Sequence, residues 1–407
     1  MTSDSRLPTP DPFAEIAPPL TCDAALAEAH RCLYCYDAPC TQACPTHIDV
    51  PAFIKKIASG NLTGSARTIL DANPMCHSCA RACPVEDLCE GACVMNARDE
   101  KPINIARLQR HATDYALAKS LKLFAPGRDT GKQVAIVGAG PAGLSCAQDL
   151  RRHGHAVTIF EAKPKPGGLN TYGIAEYKLK APTALAEAQM ILDLGVTLKT
   201  GVTIGRDVLF DQLLKDYDAV FVAIGLGDTR PLGIPGEYLD GVVGALSFIE
   251  SLKTRRAETR VGRHVVVIGA GNTAIDAVTQ AKRLGAETST IVYRRGEADM
   301  PCYDYEYELA KKDGCGFRFH CTPVEIVSRE SGVVSGVRVK TPAGEETIPC
   351  DMVIKALGQV PRTILTIPKD HPQVFVGGDC ANGGAEIVNA AADGKEAAKA
   401  IHAMLHA

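Results

Sequence analysis

Residues 134–161 read VAIVGAGPAGLSCAQDLRRHGHAVTIFE. The stretch begins with a β-branched run, passes through three glycines into an alanine-containing segment, and closes with a second apolar run. A strand, a tight turn, a helix and a second strand in this order form the βαβ unit that binds dinucleotides. The stretch therefore predicts a Rossmann-like nucleotide-binding domain of the α/β class.

Each of the three glycines in the turn between the first strand and the helix has its own expected role. Gly138 permits the tight turn, and Gly143 lets the helix pack closely on the strand. Gly140 lets backbone N–H groups approach a pyrophosphate at the helix N-terminus. Pro141 and Ala142 lie between the last two glycines, and we assign them to the same cofactor site.

The second strand of this unit ends in an acid, Glu161, about 23 residues after Gly138. An acidic residue at that place accepts hydrogen bonds from ribose hydroxyls, which FAD presents. A purely structural glycine turn is the alternative, but it would not require the flanking strands, the helix and the terminal acid together. The unit is therefore predicted to bind FAD.

A second nucleotide-binding unit begins at residues 265–274, which read VVVIGAGNTA. The next strand, 290–293, ends in Arg294 and Arg295 instead of an acid, and guanidinium groups can pair with a 2′-phosphate. These arginines could instead be solvated surface charges. The unit is predicted to bind NAD(P)H through Gly269, Gly271, Asn272, Thr273, Ala274, Arg294 and Arg295.

Ten of the 16 cysteines lie at or before Cys93. They include two runs, Cys32-x2-Cys35-x4-Cys40-x3-Cys44-Pro45 and Cys76-x2-Cys79-x3-Cys83-Pro84-x4-Cys89-x3-Cys93. The C-x2-C steps and the Cys-Pro endings resemble ferredoxin-type ligation, in which the last cysteine of one run often serves the other cluster. Two 4Fe-4S clusters are predicted. Structural zinc is the main alternative, and disulfides are disfavoured in a cytosolic chain.

The composition limits the classes of partner. The chain has 407 residues, a formal net charge of −3 and a pI of about 6.4, so no global basic field attracts nucleic acid or an anionic membrane. No stretch of about 18 apolar residues could span a bilayer, and residues 1–19 are proline-rich and polar, unlike a signal peptide. We expect a cytoplasmic protein.

The order of these features predicts the domain organisation. Helices are predicted over 24–29, 51–59, 66–72 and 105–118, and a polar, breaker-rich linker over 124–132. The predicted domains are an α-helical iron–sulfur domain at 1–125, an FAD-binding domain at 126–233 and 357–407, and an NAD(P)H-binding domain at 234–356. The second Rossmann-like domain is thus inserted in the first.

Further flavin contacts are predicted outside the first turn. Gly168 and Leu169 follow a turn that could bring backbone close to a ligand phosphate or ribose. Gly225 ends a buried strand typical of a parallel sheet, and another strand runs into Gly378 and Asp379 near the C-terminus.

These motifs resemble a known family of electron-transfer flavoproteins. It includes the electron-input subunit of bacterial NAD-dependent dihydropyrimidine dehydrogenase, the N-terminal half of the long dihydropyrimidine dehydrogenases and, more distantly, the small subunit of glutamate synthase. The resemblance is carried by Arg31-Cys32-Leu33-x-Cys35, Asp37-Ala38-Pro39-Cys40, Cys83-Pro84 to Cys93, Ile103-Asn104-Ile105, Leu108-Gln109, the FAD turn, Gly167-Gly168-Leu169, Arg294-Arg295 and Gly378-Asp379. It covers nearly the whole chain.

The resemblance implies specific ligands. One cluster would be ligated by Cys32, Cys35, Cys40 and Cys93, and the other by Cys44, Cys83, Cys89 and Gln109. Cys79 is the rival to Gln109, because a thiolate is the better iron ligand. Asp379 would bind the flavin ribityl chain, with a helix N-cap as its alternative role. Only about 18 residues separate Gly358 from Gly377, fewer than in the family, which implies a trimmed wall of the flavin pocket there.

The implied activity is the oxidation of NAD(P)H. A nicotinamide gives two electrons as hydride and clusters pass one at a time, so a flavin between them is expected, and no acid–base side chain is required. The implied partner is an FMN-containing subunit of a hetero-oligomer that reduces uracil or thymine. The family implies NAD, whereas Arg294-Arg295 favour NADPH.

Three alternative functions would use some of the same cofactor-binding motifs. A glutamate synthase small subunit would feed another partner. A disulfide reductase would need a C-x-x-C in a nucleotide-binding domain, and the cysteines after Cys93 are all isolated. An iron–sulfur sensor would need no second nucleotide site.

Overall fold

The computed structural model describes residues 11–329, 332–362, 366–368 and 371–406; residues 1–10 of the polar N-terminal segment lie outside this description. The described residues divide into two compact units. The first unit consists of 17–174, 181–228 and 359–406, and the second of 11–16, 175–180 and 229–358. The cysteine-rich region and the first nucleotide-binding stretch therefore lie in one unit, and the second stretch lies in the other.

The helices are α1 (Cys22–His30), α2 (Pro39–Gln42), α3 (Val50–Ala58), α4 (Leu62–Ala72), α5 (Cys76–Ala82), α6 (Ile105–Ala118), α7 (Pro141–Arg152), α8 (Leu169–Tyr172), α9 (Ala181–Leu192), α10 (Phe210–Asp216), α11 (Ala245–Arg255), α12 (Asn272–Arg283), α13 (Asp304–Lys312), α14 (Asp379–Asn382) and α15 (Ile387–His406). The strands are β1 (Gln133–Val137), β2 (Ala156–Glu161), β3 (Thr197–Thr200), β4 (Ala219–Val222), β5 (Leu226–Thr229), β6 (Val242–Gly244), β7 (His264–Ile268), β8 (Thr288–Val292), β9 (Gly316–Arg318), β10 (Thr322–Ser328), β11 (Val334–Thr341), β12 (Gly344–Pro349), β13 (Met352–Lys355), β14 (Gln359–Pro361) and β15 (Val374–Val376).

The cysteine-rich region is helical, and the four predicted helices are confirmed as α1, α3, α4 and α6. Local capping explains where two of them begin. At the start of α3, the Asp49 carboxylate accepts a hydrogen bond from the Ala52 N–H at 3.0 Å. At the start of α4, the Asn61 side chain accepts one from the Gly64 N–H at 2.8 Å. Such caps provide partners for N–H groups that have none within the helix. Helix α5 was not predicted, because its seven residues carry two cysteines of a ligand run.

The first unit is built around a parallel sheet in the order β15-β4-β1-β2-β3. Ile136 of β1 lies opposite Ile159 of β2 and Phe221 of β4, and all three are fully buried. Strands buried on both faces explain the continuous apolar runs in the sequence. Helix α15 crosses α7 closely, since a Cβ at Gly394 would lie 2.1 Å from the Ala142 carbonyl oxygen.

Buried polar contacts join the cysteine-rich helical region to the helices that flank the parallel sheet of the same unit. The N–H and hydroxyl of Ser78 donate to the Glu187 carboxylate at 3.1 and 2.5 Å, and burial raises the pKa of Glu187 to about 7. The Gln148 amide donates to the Leu70 carbonyl at 3.1 Å. Because unpaired buried polar groups are costly, these bonds fix the packing of α5 and α4 on α9 and α7.

The second unit contains another parallel sheet, in the order β6-β13-β7-β8-β9, and an antiparallel sheet of β10, β11 and β12. Strands β5 and β14 form a separate two-stranded sheet. Two parallel Rossmann-like sheets after an α-helical region confirm the predicted α/β fold class. No helix within the described ranges has the length and apolarity that crossing a membrane requires.

A short segment, 175–180, belongs to the second unit, whereas its position in the sequence predicts that it is part of the FAD-binding domain. The fully buried Tyr177 donates its hydroxyl hydrogen to Asp276 at 2.8 Å. The Lys178 ammonium lies 2.7 Å from Asp276 and 2.5 Å from Glu306. A buried ammonium is stable only with such partners, so these residues explain why the segment packs there.

Candidate cofactor-binding sites

The first glycine turn has the close approaches that its sequence predicts. Gly138 has a φ of +107°, and a Cβ there would lie 2.4 Å from the Ala223 carbonyl oxygen. A Cβ on Gly143 would lie 2.0 Å from the Gly138 carbonyl oxygen. Both glycines are therefore required by the fold itself.

Gly140 is different, because a Cβ there would come no closer than 3.9 Å to the nearest atom, the Gly168 Cα. Gly140 is the N-cap residue of α7, which begins with Pro141 and has no side-chain cap. Its lack of a side chain keeps space open beside the uncapped helix N-terminus. That is the cradle a pyrophosphate needs, so these residues fit a dinucleotide.

The glycine loop at 165–168 closes against this turn. The Gly167 N–H donates to the Ala139 carbonyl at 2.7 Å. Gly168 has a φ of +53°, and a Cβ there would lie 2.8 Å from the Gly140 Cα. Leu169 begins α8 directly after the loop and is exposed. The predicted contacts Gly168 and Leu169 thus lie beside the first turn.

Glu161 is buried at the end of β2, and its carboxylate is held in place by backbone N–H groups. One oxygen accepts from Ala139 and the other from Lys163, each at 2.8 Å. A carboxylate oxygen has two lone pairs, so each can accept one more hydrogen bond. The orientation suits the predicted contact with ribose hydroxyls.

Gly225 and Gly378 follow two neighbouring strands, β4 and β15, and have φ values of +63° and +71°. The Gly378 N–H donates to Asp393 at 2.9 Å, and a Cβ on Gly378 would lie 3.0 Å from the Ala142 Cβ. Gly378 is the N-cap of α14, and Asp379 is the first residue inside that helix. Asp379 is therefore not the N-cap.

The Asp379 carboxyl is partly buried beside other acids. The pKa of this carboxyl is raised above its usual value, chiefly by burial and also by the nearby charges of Asp393 and Glu386, although a hydrogen bond from the Ala385 N–H lowers it. The shortened pocket wall that the resemblance implies falls on segment 359–376, of which residues 363–365 and 369–370 lie outside the described residues.

The second glycine turn has the first two glycines of the first turn, with an alanine in place of the third. A Cβ on Gly269 (φ +127°) would lie 2.2 Å from the Ala356 carbonyl oxygen, whereas one on Gly271 would meet only Pro301, at 3.9 Å. The fully buried Ala274 occupies the place of Gly143. The turn therefore has the same open cradle at the uncapped N-terminus of α12.

The four other predicted residues of this site differ in their contacts within the chain. The Asn272 side-chain oxygen accepts the Tyr303 N–H at 3.0 Å, and Thr273 is exposed. Arg294 and Arg295 follow β8 on the surface, and within the described ranges neither guanidinium has a hydrogen-bond or ion-pair partner. Both are thus available to a phosphate.

Three cysteines of the first run and one from the end of the second run meet around one cavity. The wall of this cavity contains Cys32, Cys35, Cys40 and Cys93. Apolar side chains complete the wall, among them Val50, Ile54, Met95, Ile103 and Ile105. Burial and the neighbouring sulfurs of Cys93 and Cys32 raise the pKa of Cys40 to about 12. Four sulfurs in an apolar wall are a donor set that suits an iron–sulfur cluster.

The remaining cysteines of the two runs form a second, more crowded group. A hydrogen bond with the Cys79 sulfur and burial raise the pKa of Cys83. Burial, followed by the charges of Glu90, Cys44 and Cys40, raises the pKa of Cys89. The sulfurs of Cys44, Cys83 and Cys89 therefore share one buried neighbourhood with Cys79.

Cys76 belongs to the second cysteine run but not to the ligand set that the resemblance implies, and it also lies in this group. It is fully buried, and its pKa is raised by burial and then by Cys79, Cys44 and other neighbours. Cys76 and Cys79 are three residues apart on α5, the spacing that places side chains on one helix face. Gln109 is also buried, on α6. The group thus offers more sulfurs than a single cluster requires.

Comparisons with known proteins agree with this arrangement. Residues 9–121 match the family described as dihydropyrimidine dehydrogenase domain II, 4Fe-4S cluster. Residues 132–394 match the family described as pyridine nucleotide-disulphide oxidoreductase. Among solved structures, Mycobacterium tuberculosis FprA in complex with NADPH has a TM-score of 0.58 at 21% identity, over 68% of this chain and 84% of that one. This likeness shows the fold.

Two curated relatives align along nearly their whole length. The chain is 34% identical to the glutamate synthase (NADPH) small chain of Escherichia coli (strain K12), over 96% of this chain and 93% of that protein. It is 35% identical to the NAD-dependent dihydropyrimidine dehydrogenase subunit PreT of Salmonella typhimurium, over 97% of this chain and 98% of that protein.

The fold and the sites define an NAD(P)H-dependent flavin and iron–sulfur oxidoreductase. The chain belongs to the family that contains the glutamate synthase small chain and the PreT subunit. The predictions of FAD, NAD(P)H and a 4Fe-4S domain are thereby confirmed.

Proposed function

We propose that the chain is the electron-input subunit of a hetero-oligomeric enzyme of the PreT type. It oxidises NAD(P)H and passes electrons through FAD and two 4Fe-4S clusters to an FMN-containing subunit that reduces uracil or thymine. The observation that carries the proposal is the cavity whose wall brings together Cys32, Cys35, Cys40 and Cys93. It gives the chain a place for a one-electron carrier within the unit that holds the FAD-type fold.

Alignment lengths favour PreT over the glutamate synthase small chain. The alignment with PreT extends over 412 residues, close to the 407 of this chain. The alignment with the glutamate synthase small chain extends over 442 residues, so it requires more gaps. This chain therefore has nearly the size of PreT.

The proposed cluster ligands follow the interleaved order of the two runs. Cys32, Cys35, Cys40 and Cys93 hold one cluster. Cys44, Cys83 and Cys89 hold the other, with Gln109 as the fourth ligand. Cys79 lies close to Cys83, and Cys76 lies close to Cys44. Cys76 and Cys79 are therefore the two alternatives to Gln109 as the fourth ligand.

The proposed nucleotide ligands lie at the two open cradles. Gly140 and the first turn of α7 hold the FAD pyrophosphate, Glu161 the ribose, and Asp379 the ribityl chain. Gly271 and α12 hold the NAD(P)H pyrophosphate, and Arg294 and Arg295 pair with the 2′-phosphate of NADPH. The proposed domains keep the predicted bounds of 1–125, 126–233 with 357–407, and 234–356, except that segment 175–180 packs with the last of these domains.

Bound FAD supplies the conversion between two-electron and one-electron transfer. The chain's own residues position the cofactor and provide its electrostatic environment. Backbone N–H groups at the helix N-termini stabilise phosphate charge, and Glu161 fixes the ribose through a carboxylate that two backbone N–H groups already orient. No side chain needs to move a proton for hydride transfer, so no catalytic residue is assigned.

The second candidate is a glutamate synthase small subunit, or a related reductase that feeds another partner. It is favoured by the 34% identity to the Escherichia coli protein, whose name specifies NADPH. That specificity matches a strand end with two arginines and no acid.

Reconstitution of the complex distinguishes the two candidates. The purified chain, with its cofactors and under anaerobic conditions, would be mixed with an FMN-containing dihydropyrimidine dehydrogenase subunit or with a glutamate synthase large subunit. We expect nicotinamide oxidation that depends on uracil with the first partner, and no glutamine-dependent oxidation with the second. The reverse result would assign the chain to glutamate synthase.

A further inference from the structure

Three histidines of the first unit converge away from the cysteines and the glycine turns. His402 and His406 lie one turn apart on α15, and His155 directly precedes β2. One ring nitrogen from each of the three lies within 4.8 Å of the others. Histidines at positions i and i+4 of a helix face the same side, so α15 presents both rings towards His155.

The innermost ring has a fixed orientation. His155 is fully buried, and its Nδ1 lies 2.9 Å from the Thr130 hydroxyl. Its Nε2 therefore points towards α15, where it lies 2.9 Å from the His402 Nδ1. A hydrogen bond that fixes one ring nitrogen while the other faces a shared centre is the usual second contact of a metal-bound histidine.

The other two rings are positioned by stacking. The His402 ring stacks on His153 with centroids 3.9 Å apart and contacts His406 edge-on at 4.4 Å. His155 is buried, His402 half-buried and His406 exposed. The group thus has one closed side, formed by protein, and one side open to solvent.

We propose that His155, His402 and His406 form a binding site for one divalent transition-metal ion of the zinc class. Three neutral imidazoles without a carboxylate suit Zn²⁺, Ni²⁺ or Cu²⁺ and do not suit Mg²⁺ or Ca²⁺, which prefer oxygen. Three protein ligands leave the remaining position of a tetrahedral zinc site to water on the exposed side.

The site would link the C-terminal helix to the nucleotide-binding βαβ unit. Helix α15 already packs on α7 through Gly394, and the Ser145 hydroxyl donates to the Ala391 carbonyl at 2.7 Å. A metal held by α15 and by the residue before β2 would add a link near the end of α15. Because the metal binds the folded arrangement only, it would raise the melting temperature.

The site can be tested on the chain with its flavin and clusters in place. Binding of ZnCl₂ to wild type, His402→Ala and His406→Ala would be measured by isothermal titration calorimetry under anaerobic conditions. The matched control is His30→Ala, which removes an exposed histidine from α1. Flavin and cluster absorbance would verify that every variant is folded and loaded.

We expect wild type and His30→Ala to bind one zinc ion with equal affinity and to show the same rise in melting temperature. Each α15 variant should lose about tenfold or more in affinity, because each removes one of three ligands, and should lose the rise in melting temperature. Zinc binding that is unchanged in both α15 variants, or absent from wild type, would overturn the site. His406 is exposed, so its variant tests the proposal even if His402→Ala does not fold.

Discussion

Cys93 lies in the wall of the same cavity as Cys32, although four helices separate the two residues along the chain. The last cysteine of the second run thus joins three cysteines of the first, while Cys44, at the end of the first run, joins the buried neighbourhood of Cys89. The interleaving means that neither group can be completed before helices α3 to α5 have packed. Cluster binding and folding of this region should therefore be coupled.

Substitution of Cys35 should separate the two halves of the reaction. Cys35→Ser removes a proposed ligand of the first cluster, so we expect NAD(P)H to reduce the flavin at nearly the wild-type rate while delivery to the partner falls to background. Stopped-flow flavin absorbance and partner-coupled turnover measure the two steps. Cys22→Ser, at an exposed cysteine outside both runs, is the matched control and should retain both activities. A folded, flavin-loaded Cys35→Ser that loses both would contradict the proposed order.

The fourth ligand of the second cluster can be identified by substitution of each competitor. If Gln109 is that ligand, Gln109→Ala should alter the electron paramagnetic resonance signal of one cluster and shift its reduction potential. Cys76→Ser and Cys79→Ser should leave that signal unchanged. The opposite pattern would assign the position to a thiolate, and loss of one cluster only in Cys76→Ser would identify Cys76.

Two glycines of the first turn should respond differently to alanine. Gly143→Ala forces a Cβ against the Gly138 carbonyl and should destabilise the fold by about 2 kcal/mol or more. Gly140→Ala meets no close atom within the chain, so the apoprotein should remain as stable as wild type but lose most of its FAD, because the methyl group enters the cradle. Denaturant unfolding of the apoproteins and FAD content measure the two effects. Full FAD retention by Gly140→Ala would remove that glycine from the site.

Arg295 should discriminate between the nicotinamides. A hydrogen bond to a charged partner contributes about 1.5–3 kcal/mol, so Arg295→Ala should raise the KM for NADPH about tenfold or more and change that for NADH by less than about twofold. Steady-state flavin reduction with each nucleotide provides the comparison. Arg263→Ala, at an exposed arginine that pairs with Glu287, is the control and should change neither. Equal effects of Arg295→Ala on both nucleotides would make this arginine a solvated surface charge.

The glycine turns could be predicted because their constraints are local. Gly138 and Gly269 have positive φ values that the tight turn itself requires, and Gly143 lies against the carbonyl of Gly138, five residues earlier in the same βαβ connection, so sequence spacing determines these constraints. The strand pattern is likewise local, since continuous apolar runs indicate strands buried on both faces.

Contacts between distant segments could not be predicted in this way. The segment at 175–180 joins the second unit through Asp276 and Glu306, and no pattern near Lys178 indicates those partners. The sequence shows Cys76 and Cys79 in one run, but only the fold places them next to Cys44 and Cys83. The spacings of His153 with His155 and of His402 with His406 were visible signals, but only the fold brings the two pairs together.

The proposed electron relay consists of one flavin and two iron–sulfur clusters within this chain. Quantitative analysis of iron, acid-labile sulfide, zinc and acid-extracted flavin in the anaerobically purified chain tests it most directly. We expect about eight iron and eight sulfide atoms and one FAD per chain, the content of two 4Fe-4S clusters and one flavin. A chain with zinc in place of iron at the cysteines, or with no FAD in the extract, would rule out this relay.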